Sequence, residues 1–160
     1  MKKFTLAIAA AATVVSMPVY AKTAKLMKCV AVTQTQMEGL FTDFNAAWAT
    51  KNPATVTSLF TKDAVLLATV SNKPRTNHAE IQDYFVSFLK ASPVGTINSS
   101  TFKMGCNTVA RLGTWTVTLT DAATGTKTDV KARYSFIYRM EDGRWKVDHL
   151  HSSVMPEKTS

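Results

Sequence analysis

The spacing of apolar residues changes near Thr96, and this change predicts two kinds of secondary structure. Before Thr96, apolar residues recur every three or four positions in three stretches, which is the spacing of amphipathic helices. After it, apolar and polar residues alternate, as they do in half-buried strands. Helices followed by consecutive antiparallel strands are typical of an α+β fold.

Polar residues with capping ability mark the starts of the three predicted helices. Thr33 stands three residues before a glutamine, which is the spacing of a capping box. Asn52 precedes Pro53, and proline is favoured at the first position of a helix. Asn77 precedes the third helix, which Pro93 ends. Three helices, the second one short, are therefore expected in the first part of the chain.

Five strands are predicted, one between the second and third helices and four in succession after the third. The tight turn before the last strand is marked by Asp142 and Gly143, which tolerate the left-handed backbone of a hairpin loop. No linker, repeat or low-complexity tract divides the strands. The expected ranges are 63–67, 96–104, 109–119, 127–140 and 144–153.

The N-terminus has the three parts of a secretory signal peptide. Lys2 and Lys3 precede an apolar run over residues 4–17, and short side chains stand before a cleavage site after Ala21. The run is shorter than the ~20 residues that a membrane-spanning helix needs. We expect a signal peptide at 1–21 and a single mature domain at 22–160, periplasmic or secreted and without a membrane partner.

The chain carries a formal net charge of +8 and has two cysteines. Its lysines are scattered singly, so no basic patch indicates a nucleic-acid partner. Cys29 and Cys106 would meet an oxidising compartment after export, so we expect them to bond to each other. In the chain-entropy model such a bond stabilises the fold by about 4 kcal/mol. It would pin the segment before the first helix to a turn of the sheet.

Two histidines near the end of the last strand are the first candidates for function. A period of two places Trp145, Val147, His149, His151 and Ser153 on one face of this strand. The sequence offers no third ligand on that face, so we expect no metal. Two interpretations of the histidines remain open: a ligand or subunit surface, and structural packing.

The residues that face the histidines depend on the register of the last hairpin. A two-residue loop places Phe136 opposite His149 and gives an apolar pocket of tyrosine and histidine. A three-residue loop places Ser135 opposite His149 and Arg133 opposite His151, which gives a polar cluster. The sequence leaves both registers open.

The ending DGRWKVDHLHSSVMP, the phrase LFTKDAVLLATVSNKPRTNHAEIQDYF and the opening helix resemble bacterial secreted members of the NTF2-like superfamily, SnoaL-like proteins among them. They are most similar to the association domain of calcium/calmodulin-dependent protein kinase II, whose last strand also carries a Trp and a His-x-His-x-Ser pattern. The resemblance covers nearly all of the mature chain. It implies a cone of three helices on a curved, mainly antiparallel sheet, and self-association through the sheet as a homodimer or higher oligomer.

The resemblance also shows a departure. In the kinase association domain an arginine follows the final His-x-His and lines a pocket that favours carboxylates, whereas this chain has a serine there. The candidate ligand-binding residues are those expected around the histidines and the mouth of the cone: Arg75, Arg133, Tyr134, Tyr138, His149, His151 and Ser152.

NTF2-like domains serve as enzymes, binding modules and assembly hubs, so the fold alone does not decide the function. Our first hypothesis is a non-enzymatic, exported domain that binds a small organic molecule in its cone, needs no cofactor and self-associates. The alternative is a cofactor-free isomerase, dehydratase or hydrolase with Asp148 as general base beside Tyr134 or Tyr138. The alternative requires Asp148 and a phenol or imidazole to meet at an enclosed cavity.

Overall fold

A computed structural model describes residues 28–156 of the 160-residue chain. The predicted signal peptide lies outside the described residues. Within them, no helix is long and apolar enough to cross a bilayer. The elements are α1 (Gln34–Ala49), α2 (Pro53–Thr57), β1 (Phe60–Leu67), α3 (His78–Phe88), a 3-10 turn (Leu89–Ala91), β2 (Val94–Gly105), β3 (Thr108–Thr120), β4 (Lys127–Glu141) and β5 (Arg144–Val154).

The capping residues start the helices as predicted. The Gln36 N–H donates to Thr33 Oγ1 at 3.2 Å and the Thr33 N–H donates to Gln36 Oε1 at 2.8 Å, so the capping box is complete. Asn52 accepts from the first turn of α2. Asn77 Oδ1 accepts a hydrogen bond from the Glu80 N–H at 3.0 Å. The Glu80 carboxylate accepts from the N–H of Thr76, the residue before the cap.

The five strands form one sheet in the order β1-β5-β4-β3-β2. β1 runs parallel to β5, and the other neighbours are antiparallel. The observed bounds of β2 to β5 confirm the predicted meander to within two residues at each end. β1 is longer than expected, because it begins at Phe60.

Aromatic side chains join α1 to one face of the sheet, which we call the inner face. Phe44 lies edge-to-face on Phe136, with ring centroids 5.4 Å apart, and Phe41 meets Trp115 at 6.1 Å. Trp48 lies 6.0 Å from Trp115. All five side chains are buried. Alternate residues of the strands point away from the helices, and we call that side the outer face.

The predicted disulfide between Cys29 and Cys106 is confirmed, with a Cα–Cα distance of 4.9 Å. Beside it, Asn107 Oδ1 accepts from the Val30 N–H at 2.8 Å and Asn107 Nδ2 donates to the Lys28 carbonyl at 3.2 Å. The bond therefore pins the segment before α1 to the β2–β3 turn, as expected.

The last hairpin turns on two residues. Asp142 and Gly143 have φ angles of 52° and 75°, and the flanking Glu141 and Arg144 are paired. Both left-handed residues match the twist of the flanking strands, which is why this loop favours Asp-Gly.

A bulge then changes the register of β5, so neither predicted register holds along the whole hairpin. Val147 keeps the register of the two-residue loop, but Asp148 has no pairing partner in β4 and His149 lies opposite Ile137. Ser135 lies opposite His151. Because an extra residue reverses the alternation, the histidines lie on the outer face while Val147 stays buried on the inner face. The prediction that all of them share one face is wrong.

Candidate functional site

A recess, which we call the cone cavity, opens between α1, α3 and the inner face of the sheet. Its enclosed volume is about 20 Å³, room for one water molecule, and about 410 Å³ including the mouth. Its walls are mostly apolar, and five of the lining residues are aromatic: Trp48, Tyr84, Phe85, Phe88 and Trp115. As formed by the described residues, the lining has no carboxylate, imidazole or basic side chain.

Ser152 is the one predicted site residue that lines the cone cavity, and its hydroxyl is fully engaged. Ser152 Oγ accepts from Trp115 Nε1 at 3.0 Å and from Thr69 Oγ1 at 2.5 Å. It donates to the Arg133 carbonyl oxygen at 3.1 Å. The bulge places Ser152 inward, and the hydroxyl then satisfies a tryptophan donor that is otherwise buried in an apolar wall.

Trp48 also lines the cone cavity, but its indole N–H has no partner. The residue is 3% exposed, and Nε1 makes no hydrogen bond within residues 28–156. A buried donor without a partner costs about 1–3 kcal/mol. The unpaired N–H is enclosed by its neighbours, and the wall of the cavity is apolar over most of its area.

A second recess lies on the outer face. It is open to solvent, has a volume of about 340 Å³ and is lined by Arg133, Tyr134, Ser135, His151 and Ser153. These residues resemble the polar cluster that a three-residue loop would have formed. The observed loop has two residues, and the cluster forms because the bulge turns His151 outward. We call it the outer recess.

His149 and His151 are neighbours on the outer face, with ring centroids 6.4 Å apart. His149 Nδ1 lies 3.1 Å from the Val65 carbonyl oxygen, to which it donates when protonated. In the part of the chain that the structure describes, no group of three metal-ligating side chains surrounds them or any other point. Their position on the outer face suits a contact surface, and neither histidine lines the cone cavity.

Asp148 occupies the bulge and makes structural contacts. Its Oδ1 accepts from Thr61 Oγ1 at 3.0 Å and from Arg139 Nε at 2.8 Å. Arg139 also pairs with Asp63 through Nη2. Asp148 does not line the cone cavity, so the carboxylate and phenol of the enzymatic alternative do not meet there. We therefore abandon Asp148 as general base.

The side chains of Tyr134 and Tyr138 pack into the core on the inner face, outside the cone cavity. Tyr134 OH donates to the Ser99 carbonyl oxygen at 2.8 Å. Tyr138 OH is fully buried without a hydrogen-bond partner among the described residues, and burial raises the pKa of this phenol far above its usual value. Both side chains are buried in the core, and Tyr138 stays neutral there.

Arg111 is a buried residue that the sequence analysis missed. It is 5% exposed, donates through Nε to Ser100 Oγ at 2.8 Å and lies over the rings of Phe41 and Phe102 at 5.4 and 5.2 Å. The alternation along β3 could have identified it, because Arg111 stands two residues after the apolar Val109 and therefore points to the same, inner face.

Arg75 stands in the loop between β1 and α3, outside the cone cavity. Its guanidinium lies 4.9 Å from the centroid of Tyr84 and donates to Ser71 Oγ at 2.6 Å. It lines a shallow depression with Asp83 and Ser87. The structure thus divides the seven predicted residues among the cone cavity, the outer face of the sheet, the core and this loop, and does not bring them around one recess.

The family comparison matches residues 33–156 to the calcium/calmodulin dependent protein kinase II association domain. A candidate domain of that kind from Xanthomonas campestris is 40% identical, with a TM-score of 0.75 over 82% of this chain and 98% of that one. Among proteins with curated functions, none matches the chain.

More distant structures share the fold. An NTF2-like protein with a cystatin-like fold from Novosphingobium aromaticivorans is 10% identical, with a TM-score of 0.64 over 78% of this chain and 83% of that one. A candidate dehydratase of the NTF2-like family from Streptomyces avermitilis is 11% identical, with a TM-score of 0.69 over 77% and 97%. At these identities the likeness shows the cone architecture alone.

Proposed function

The chain belongs to the calcium/calmodulin-dependent protein kinase II association domain family of the NTF2-like superfamily, and we propose that it is an exported, non-enzymatic domain that self-associates and binds a small organic molecule. Self-association uses the outer face of the sheet. Ligand binding uses the cone cavity. The two activities therefore lie on opposite sides of one sheet.

Self-association is supported by the uncovered outer face of the sheet. The helices pack on the inner face, and within residues 28–156 no element covers the other side of β3, β4 and β5. The pairing places four partly buried apolar side chains on this face: Val65 and Leu67 on the edge strand β1, beside the histidines, Ile137 on the central strand β4 and Leu112 on β3. A second copy would remove them from water.

Ligand binding is supported by the cone cavity, a concave and largely apolar recess. A non-enzymatic role is supported by its lining. The titratable side chain there is Tyr84, and burial raises the pKa of its phenol well above the neutral range. A general base near neutral pH is therefore not provided by the wall of the cavity.

Export is supported by the leader-like N-terminus and by the disulfide. The Cys29–Cys106 bond closes a loop across 77 residues, and such bonds persist in oxidising compartments. N-terminal sequencing of the protein recovered from a bacterial periplasm tests this part. Retention of residues 1–21 in the recovered protein would contradict it.

Self-association is tested by sedimentation and native mass spectrometry of the mature chain. Ile137→Lys places a charge at the centre of the outer face, so we expect it to convert the oligomer to a monomer. Val86→Lys is the matched control, because Val86 is an apolar residue of α3 that is 48% exposed. A parent protein that is monomeric at all concentrations, or an unchanged Ile137→Lys oligomer, would sink the proposal.

A further inference from the structure

We infer that the outer recess binds a tetrahedral oxyanion, such as a sulfate or phosphate ion or a phosphate group carried by an organic molecule. The site lies on the face of the sheet opposite the cone cavity and takes a different class of ligand. It also differs from a pocket built on the position after the final His-x-His, because here that residue, Ser152, lines the cone cavity. The inference requires neither ligand binding in the cone cavity nor self-association.

The pairing of β4 with β5 builds the recess. Arg133 lies directly opposite Ser153, and Ser135 lies directly opposite His151. Side chains in such positions have Cβ atoms about 4.5–5.5 Å apart, and long side chains also reach their diagonal neighbours. The four side chains therefore surround one depression, whereas the side chain of Tyr134, the fifth lining residue, packs into the core.

All four of these side chains can donate hydrogen bonds, and none is engaged within the described part of the chain. The Arg133 guanidinium, the His151 imidazole and the hydroxyls of Ser135 and Ser153 make no hydrogen bond or ion pair with another residue of 28–156. A guanidinium presents a planar fork of donors that matches an oxyanion, and serine hydroxyls rotate to suit an acceptor. The recess thus offers donors that the fold itself does not use.

The charge around the recess favours an anion. Arg133 carries a permanent positive charge, and the lining formed by the described residues holds no carboxylate. Thr114 and Leu112, the β3 residues that pair with this part of β4, are uncharged. Asp129, four residues before Arg133 on the same strand, accepts a hydrogen bond from Thr118 at 2.7 Å. An anion in the recess therefore meets a cation without competing with a carboxylate for it.

A tetrahedral oxyanion fits this arrangement better than a carboxylate does. Its oxygens point in four directions, so they accept hydrogen bonds from both strands at once, whereas the two oxygens of a carboxylate lie in one plane. The recess is open to solvent and has a volume of about 340 Å³, which also leaves room for the organic part of a phosphate ester.

His151 should make binding depend on pH. Histidine is the side chain that ordinarily gains a positive charge as the pH falls from 8 to 5. The charged or titratable groups that face it are Arg133 on β4 and His149 on its own strand, while β1 presents the apolar Leu67. Protonation adds a cation to a recess that already holds a guanidinium. Sulfate, whose own charge is constant in this range, should therefore bind more tightly at pH 5.

Titrations with four probes test the inference: sulfate, inorganic phosphate, phenyl phosphate and acetate. Chloride keeps the ionic strength constant, so that general screening does not count as binding. Binding is followed through the backbone amide signals in NMR spectra of the mature protein, at low and at high protein concentration. We expect sulfate and both phosphates to shift the signals of Ser135 and Ser153, and acetate to bind more weakly. Tighter binding of phenyl phosphate than of phosphate indicates an organic ligand, and equal binding indicates the free ion.

Arg133→Gln removes the permanent charge and should weaken sulfate binding about ten-fold, the low end for hydrogen bonds to charged groups. Arg144→Gln is the matched control, because Arg144 is an exposed arginine that lines a different recess and should leave sulfate binding unchanged. An equal loss in both variants would mean that sulfate responds only to net charge, which overturns the site.

His151→Gln keeps a donor and removes the titration. The parent should bind sulfate at least about three-fold more tightly at pH 5 than at pH 8, and this variant should lose the difference although His149 remains. An unchanged pH dependence overturns the role of His151.

The other failures are distinguishable. Acetate binding as tight as that of sulfate overturns the ligand class. If no probe shifts the signals of the recess at either protein concentration, the site itself is wrong. That result leaves self-association, which sedimentation measures, and ligand binding in the cone cavity untouched.

Discussion

Gly113 occupies a position in β3 that has no room for a side chain. A Cβ atom there would lie 2.0 Å from the Ser99 carbonyl oxygen and 3.1 Å from Tyr134 OH. The first contact is with backbone, so β2 would have to move away from β3 at the irregularity before Ser99. Close backbone approach explains this glycine better than flexibility does.

Gly113→Ala should therefore lower the free energy of unfolding by about 3 kcal/mol, the upper end of the usual cost of overpacking. Gly39→Ala is the control, because a Cβ atom at Gly39 in α1 would meet nothing within 4 Å and alanine favours helices by roughly 0.5–1 kcal/mol. Urea unfolding of both variants checks this. A Gly113→Ala protein as stable as the parent would contradict it.

The histidine pair gives a second expectation for single residues. His149→Phe with His151→Phe keeps aromatic bulk and removes every ring donor and acceptor. If these residues belong to a subunit contact, loss of one or two hydrogen bonds should weaken the oligomer roughly ten-fold. Sedimentation across several concentrations measures the first effect. An oligomer as tight as that of the parent would mean that the rings only fill space.

Elements are tied together by a few long-range bonds, and the disulfide is the one with the largest expected effect. Reduction, or Cys29→Ser with Cys106→Ser, releases the segment before α1 from the β2–β3 turn. A loss of a few kcal/mol should lower the melting temperature by several degrees. Calorimetry with and without reductant measures the shift. Free thiols in oxidised, folded protein would disprove the bond.

The β4–β5 hairpin carries a pH-dependent contact. Lys146 Nζ donates to Glu141 Oε1 at 2.9 Å, and this hydrogen bond is the main reason why the pKa of the Glu141 carboxyl lies below its usual value. The Lys62 N–H adds a weaker contribution at 3.4 Å. In the unfolded chain the pKa of a glutamate is about 4.3, and in the folded protein that of Glu141 is lower. The contact therefore stabilises the protein at pH values above the unfolded pKa. This stabilisation is lost as the pH falls through the folded-state pKa.

Glu141→Gln should accordingly destabilise the protein at pH 7 and make its stability less dependent on pH below about 4.5. Urea midpoints measured from pH 7 to pH 3 test the slope. Identical slopes for Glu141→Gln and the parent would show that the contact contributes nothing.

The elements themselves were predictable because their signals are local. Thr33, Asn52 and Asn77 cap helices within their own first turns, and the Asp142-Gly143 turn depends on the residues that form it. The bulge at Asp148 was not predictable, because its carboxylate bonds to Thr61, 87 residues away in the chain. The bulge that accompanies this long-range contact places the histidines on the face opposite to that of Val147.

At the scale of the whole molecule, the sheet separates two surfaces. The cone cavity lies on the inner face and the apolar centre of the outer face lies behind it. We therefore expect the Ile137→Lys monomer to bind a small apolar probe, such as toluene, in the cone cavity as tightly as the parent does. Titration of both proteins by NMR measures this. A monomer that no longer binds the probe would show that association shapes the cavity.

The strand order has a further consequence for how the chain acquires its fold. β5 is the last strand to be synthesised, yet it lies between β4 and β1 and pairs Val147 with Phe60. Contacts so distant in sequence form slowly. β1 has no neighbouring strand in the sheet until β5 arrives, so a nascent chain cannot close the cone during its synthesis. A chain that folds only when complete remains extended for longer, which suits the proposed export, since an unfolded chain can cross a membrane before it closes the sheet.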